Sequence, residues 1–355
     1  MSDNLTTFAP PNPLNIAVLF LVFNRLHTTK QVFEAIRHAK PPRLYIAADG
    51  ARESREGEVE KVQAVREFVM SRIDWECEVK TLFRKQNLGC KDAPSSAISW
   101  FFENEEMGII LEDDCLPDQT FFRFCQEMLE RYRHDQRISM VSGDNFQFGH
   151  RRNSDSYCFS KYCLIWGWAT WRDRWVNSYD VTIAKWPRIH DGGWLADMLG
   201  NAQEVDYWGE IFESVHTRKF DTAWDYQWFF ANMLEGRVSI TPSVNLIANI
   251  GAGMDATHTK NASSVLNLLS SPMTFPLVHP LGVFKNIQAD QITYRVFFRL
   301  GLSVRLRKKL GLRKKLVRIR NIVFKIVNNF NKAFNIKTIS KIKLAVKAKL
   351  RLFTR

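Results

Sequence analysis

Gly108-Ile109-Ile110-Leu111-Glu112-Asp113-Asp114-Cys115-Leu116-Pro117-Asp118 is a short apolar run that ends in three consecutive carboxylates, with Pro117 close behind. A buried parallel strand has this pattern: apolar through its length, polar where the chain emerges at its carboxyl end. Open α/β sheets bind their ligands at that edge. Three adjacent acids repel one another and must be solvated, paired or neutralised by a cation. As a site they want a hard divalent metal, and a metal held by so few carboxylates completes its shell with substrate phosphates. A solvated acidic turn is the competing reading, and the segments in front of the triplet argue against it.

Working back from that strand, Asn15 to Phe23 is another continuous apolar run, and Asn24-Arg25-Leu26-His27 is the loop at its carboxyl end. Thr28 and Gln31 are spaced as a capping box for a helix marked by Val32, Phe33, Ile36 and Ala39. Pro41-Pro42 stops it, and Arg43 to Ala48 is a second strand closed by Asp49-Gly50. A helix over 58–73 carries Val59, Val62, Val65 and Val69 on one face, and 77–83 reads as a third strand. Asn87 to Asp92 is a loop bearing Lys91, and a helix with Pro94 in its first turn leads to the opening strand. The order β-α-β-α-β-α-β predicts an α/β chain with a parallel, doubly wound sheet. Its strand ends supply Arg25, Asp49, Lys91 and Glu112-Asp113-Asp114 to one edge. Neither GxGxxG nor GxxxxGK[ST] occurs, which excludes the dinucleotide fingerprint and the P-loop.

Working forward, 119–133 reads as a helix and 138–142 as a strand. Leu164 to Trp175 then holds four Trp in ten residues. Indoles so close together imply core packing, while Trp166-Gly167-Trp168 suggests a bend where a ring meets a flat ligand such as a sugar face. Asp225 stands between aromatics in Asp221-Thr-Ala-Trp-Asp-Tyr-Gln-Trp228. Desolvation there suits a general base, against the alternative of a paired structural Asp. Residues 240–258 end in a Gly-rich polar loop whose His258 is a candidate for a phosphate or a metal, with a plain surface His as the alternative.

Charge divides the chain of 355 residues. The net +13 conceals 20 Lys/Arg and no Asp/Glu in 291–355, leaving 30 Lys/Arg against 37 Asp/Glu in 1–290. An acidic body over 1–290 thus precedes a basic tail over 291–355. In that tail Leu316, Ile319, Ile322, Ile326 and Phe330, then Ile339, Ile342, Val346, Leu350 and Phe353, keep helical spacing among Lys and Arg. Basic amphipathic helices lie on anionic membranes. The six cysteines form no CxxC and no zinc spacing, and neither a signal peptide nor a membrane-length apolar run is found. The expectation is a cytoplasmic protein with reduced thiols, peripheral on the inner face of the membrane.

With these pieces laid out, residues 14–260 resemble the glycosyltransferases of the GT-A fold, a Rossmann-like, nucleotide-diphospho-sugar transferase fold. Among them the chain is similar to the inverting N-acetylglucosaminyltransferase I group and its bacterial relatives. The resemblance rests on Val18 to Arg25, Tyr45-Ile-Ala-Ala-Asp49, Asn87-Leu-Gly89, Leu111-Glu-Asp-Asp114, Gly167-Trp168, Trp224-Asp225 and Pro242 to Gly251. It implies that Glu-Asp-Asp is this chain's DxD motif, with Asp114 holding Mn²⁺ (or Mg²⁺) and Glu112 and Asp113 contacting nucleotide and donor sugar. It further implies that Arg25 and Asp49 contact the nucleotide and that Asp225 is the catalytic base. The implied reaction is transfer from a nucleotide sugar, a UDP-sugar foremost, to a glycan or lipid-linked acceptor in cell-surface polysaccharide synthesis. Two rivals remain at this point. A sugar nucleotidyltransferase shares sheet and metal carboxylates but carries a Gly-rich basic loop after the first strand, which Asn24 to His27 is not. A nucleic-acid-binding protein acting through the tail is opposed by the acidic body, so no nucleic-acid partner is expected.

Overall fold

The structure, a computed structural model, describes residues 13–220, 222–251 and 268–298. The element order is β1 (Ala17–Val22), α1 (Leu26–Ala39), β2 (Arg43–Ala48), α2 (Glu58–Ser71), β3 (Glu78–Phe83), α3 (Gly89–Asn104) and β4 (Met107–Glu112). There follow β5 (Cys115–Pro117), α4 (Gln119–Arg131), β6 (Ile138–Ser142), β7 (Tyr157–Ser160), β8 (Trp168–Trp171) and α5 (Arg172–Val176). The chain then runs through α6 (Trp186–Asp191), α7 (Trp194–Leu199), α8 (Ala202–His216), α9 (Asp225–Leu234), β9 (Val238–Pro242), β10 (Ile247–Asn249) and α10 (Ile287–Thr293). A π-helical turn, Tyr294–Phe298, ends the described part.

Eight strands form one sheet in the order β3-β2-β1-β4-β8-β6-β9-β7. β1 to β4 are parallel. β8 runs antiparallel to both of its neighbours, β4 and β6, so β6 and its parallel partner β9 point the same way as β1 to β4. Only β8 and β7 oppose the rest of the sheet. The mostly parallel, Rossmann-like α/β expectation therefore holds.

The sheet is wound on both faces, and period-2 alternation along β1 shows it. Val18, Phe20 and Val22 face a core with Val32, Phe33 and Ile36 of α1, Val65 and Val69 of α2, and Phe121 and Phe124 of α4. Ala17, Leu19 and Leu21 face the opposite core with Ile98 and Phe101 of α3, Trp175, and Trp224 and Trp228 around α9. A strand buried on both faces needs apolar residues at every position, which is why β1 and β4 are continuous runs.

Several local expectations are corrected. Thr28 and Gln31 form no capping box: α1 begins at Leu26, the Thr28 and Thr29 hydroxyls donate to the Arg25 carbonyl, and Gln31 meets His27 one turn back. Val59 faces solvent at 64% exposure, so the buried stripe of α2 is Val62, Val65 and Val69. Lys91 lies in the first turn of α3 rather than in a loop. At the carboxyl side of the domain, α10 and the turn after it pack on the body. Gln147 donates to the Ala289 carbonyl and the Thr293 hydroxyl, Tyr294 donates to the Gln203 carbonyl, and Phe297 stacks on Phe146. His258 and residues 299–355 of the basic tail lie outside the described residues.

Candidate active site at the switch point of the sheet

From β1 the chain moves outward through β2 to β3, then returns across the sheet to β4 on the other side of β1. The carboxyl ends of β1 and β4 thus border the crevice where winding reverses, the place where open α/β sheets hold ligands. Arg25 follows β1, and Asp113 and Asp114 follow β4. The guanidinium spans both acids: Nη1 donates to Asp114 Oδ2 at 2.8 Å and Nη2 donates to Asp113 Oδ1. The sheet order makes this contact between residues 88 and 89 positions apart.

The electrostatics follow from burial. Glu112 is pushed up to about 8, first by burial, then by the charges of Asp114 and Asp113, with Arg25 opposing and Asp225 adding. Part of Glu112 still reaches solvent. Asp113, 3% exposed, is raised to about 6 by burial, against the pull of Arg25. Burial works against the charge of Arg25 as well, and Asp113 and Asp114 overrule it, raising the guanidinium. One cation is therefore shared among three crowded carboxyls.

The residues suit a hard divalent cation. Asp113 Oδ2 is buried without a hydrogen-bond partner, and Asp114 Oδ1 meets the Cys115 thiol at 3.5 Å. Among the described residues no three His, Cys, Asp or Glu side chains converge as a closed cage. An ion here would rest on one or two carboxylates and take its remaining oxygens from water or phosphate, the habit of Mg²⁺ and its like. Asp114 is backed by β10: the Ile250 amide donates to its carbonyl at 2.8 Å, and Gly251 lies against its carboxylate.

Asp225 opens α9, in the first turn where the helix dipole favours an anion. Its charge adds to the upward push on Glu112, Cys163 and Tyr179. Asp49 ends β2 but turns its carboxylate to the chain. It accepts from the amides of Gly50, Leu88 and Gly89 and from Asn87 Nδ2, all at 2.9–3.1 Å. It thereby fixes the loop before α3, the helix that carries Lys91. Lys91 is mostly buried, 3.7 Å from Asp92.

The Trp-rich segment is core. Trp168, Trp171 and Trp175 are buried, and Trp168 stacks on Trp224 with centroids 5.6 Å apart. Trp166 alone of the four is part-exposed, against Phe146 and Phe297. Gly167 is the expected bend, with φ of 69°, and a Cβ there would meet Ile247 at 2.4 Å. One acid on this edge escaped sequence reasoning. Asp144, two residues past β6 and 1% exposed, accepts from the Trp166 amide at 3.0 Å through Oδ2 and leaves Oδ1 unpartnered. Burial pushes it well above the usual carboxylate range. Its signal was its place after a buried strand, Ser142-Gly143-Asp144.

No family model matches the chain, and no curated protein does. Among solved structures it is similar to S. aureus TarS 1–349, with TM-score 0.30 and 8% identity over 45% of this chain and 47% of that one. HddC from Yersinia pseudotuberculosis gives TM-score 0.28 and 10% identity over 44% of this chain and 77% of that one. The aligned region thus spans about half of the TarS chain. At these values the likenesses assign neither a family nor an activity, and they do not single out the N-acetylglucosaminyltransferase I group. Fold and site together define a doubly wound α/β protein with an acidic switch-point site.

Proposed function

We propose that this protein is a metal-dependent inverting glycosyltransferase, moving a sugar from a nucleotide-sugar donor, a UDP-sugar foremost, to a glycan or lipid-linked acceptor. The observation that carries the reading is the Arg25–Asp113–Asp114 junction at the switch point, with Asp113 Oδ2 unpartnered and Asp225 within electrostatic reach of Glu112. Asp114, with Asp113, would hold Mn²⁺ or Mg²⁺, which when bound neutralises the leaving diphosphate as a Lewis acid. Arg25 supplies a second positive charge to the same phosphates. Asp225 accepts the proton of the acceptor hydroxyl as it attacks the anomeric carbon. A single displacement of this kind inverts that centre and needs no enzyme nucleophile. Asp49 serves by fixing the loop that leads into α3, and His258 remains a proposed phosphate contact. The basic tail over 291–355 is proposed to hold the enzyme on the inner face of an anionic membrane, where lipid-linked acceptors lie.

The test is calorimetric titration with UDP, GDP and CMP, each with Mn²⁺ and with EDTA. Metal-dependent binding of one nucleotide, lost in Asp114→Ala and kept in Asp225→Asn, supports the reading. Binding of none of them, or full turnover by Asp225→Asn, refutes the site or the base assignment respectively.

A further inference from the structure

β7 is an edge strand, hydrogen-bonded on one side to β9 and open on the other. The segment 278–286 straps that open side. Ser156 donates its amide to the Val278 carbonyl, and Val278 donates back to the Ser156 hydroxyl, at 2.8 and 2.9 Å. At the far end Lys285 bridges Phe159 in parallel register, and the Asn286 amide donates to the Phe159 carbonyl at 2.7 Å.

Side chains along the strap divide in two. Leu277 and Ala289 are buried, and Val283 packs on the core. Val278, Leu281, Phe284 and Ile287 point away, at 51, 103, 63 and 66% exposure. Large apolar groups clustered on a tethered surface segment mark a contact site rather than scatter. The surrounding charge is positive. Lys285 lies within the strap, and exposed Arg151 and Arg152 precede Ser156. The acids at hand are Asp155, which is only part-exposed, Glu127, which lies 3.7 Å from His279, and Asp290, which is buried. From Gln291 onward the sequence holds 20 Lys/Arg and no acid.

We propose that the strap is a membrane-insertion loop: Leu281, Phe284 and Ile287 enter the acyl boundary of an anionic bilayer while Arg151, Arg152 and Lys285 meet its headgroups. Apolar side chains flanked by cations are what an anionic interface selects. This rests on the reading of the chain as a peripheral membrane protein, not on its chemistry. It adds a rigid apolar contact in the folded body to the electrostatic attraction of the tail. Each apolar side chain withdrawn from the interface lowers partitioning about tenfold.

The experiment is co-sedimentation of the full chain with vesicles of phosphatidylcholine alone and with roughly a third phosphatidylglycerol. Wild type is compared with Leu281→Ser/Phe284→Ser/Ile287→Ser, whose side chains make no core contact to lose. The expected result is binding to anionic vesicles that weakens about a thousandfold in the triple variant, with melting temperature and nucleotide binding unchanged. Equal partitioning of the two proteins overturns the loop while leaving the tail reading intact. Absence of wild-type binding to anionic vesicles overturns the membrane reading itself. A wild-type dimer in the ultracentrifuge that the triple variant dissolves, with vesicle binding unaltered, assigns the patch to a second copy and overturns the proposal.

Discussion

Gly251→Ala is the sharpest probe of how the acidic site is held. The backbone at Gly251 has no positive φ, so an added methyl group meets only a steric obstacle. That methyl carbon would stand 2.1 Å from Asp114 Oδ2 and 2.8 Å from its Cβ and Cγ. Relief requires the carboxylate to withdraw by roughly 1 Å toward ordinary van der Waals contact. Withdrawal lengthens the 2.8 Å bond from Arg25, because Oδ2 is both the clashing and the accepting atom. Overpacking of this kind costs about 1–3 kcal/mol, a fall of about 2–6 °C in Tm for a domain of this size. The assay is a double-mutant cycle by thermal unfolding at pH 7.5. With Asp114→Ala in place Oδ2 and Cγ are gone and only the 2.8 Å contact with Cβ remains, so the second substitution is expected to cost less than it does beside the intact carboxylate. An equal cost in both backgrounds would show that Gly251 does not press on Asp114 and would refute the reasoning.

Three further outcomes are expected. Arg25→Met leaves Asp113 and Asp114 without their shared cation and destabilises by about 3 kcal/mol at pH 7.5. Asp113 has a folded pKa of about 6, above the ordinary 3.8, so the stability it contributes is full below that lower value and lost as pH rises through about 6. Removing Arg25 moves the upper end of that window higher, so the deficit of the variant narrows on acidification from pH 7.5 to 5; chemical denaturation at both pH values checks this, and a deficit that widens counts against it. Asp144→Asn keeps an acceptor for the Trp166 amide and mimics a neutral carboxyl, so it changes stability by less than about 1 kcal/mol, whereas Asp144→Ala costs about 1–3 kcal/mol. Equal losses in the two variants would mean that Asp144 is ionised in the fold. Trp228→Ala, in the buried indole cluster with Trp168 and Trp175, is expected to cost about 3–5 kcal/mol with no change in nucleotide affinity per folded molecule; a selective loss of binding would restore a ligand role to the cluster.

The half of the fold that carries the site was legible because its strands are buried on both faces. Val18 to Val22 and Ile109 to Leu111 admit no polar residue, and the helices between them repeat at 3.6. Helical spacing still misplaced Val59, since a stripe wide enough to include it exceeds the face that α2 buries. Beyond Ser142 the signals thin out. β8 is four residues, Trp-Ala-Thr-Trp, and nothing local tells an indole that lines a core from one that lines a ligand. Its antiparallel insertion between β4 and β6 is a property of the whole sheet. Within the site, the acid triplet and Arg25 stood out individually, but their ion pairs depend on β4 crossing to the near side of β1. Asp49 looked like a ligand contact from its strand end alone. The loop amides it accepts from are 39 and 40 residues away, beyond any local pattern.

The strap over β7 also bears on how the chain stays dispersed in water. An open sheet has two borders, and any uncovered row of amides and carbonyls invites another strand to dock. At one border β3 carries Glu78 and Lys80, charges that discourage stacking of a second chain. At the other, β7 reads Tyr-Cys-Phe-Ser, short and uncharged, and relies on residues 278–286 laid along it. A chain ended before Met273 would bare that border, and the expected consequence is polymerisation through β7 rather than a dispersed, truncated protein.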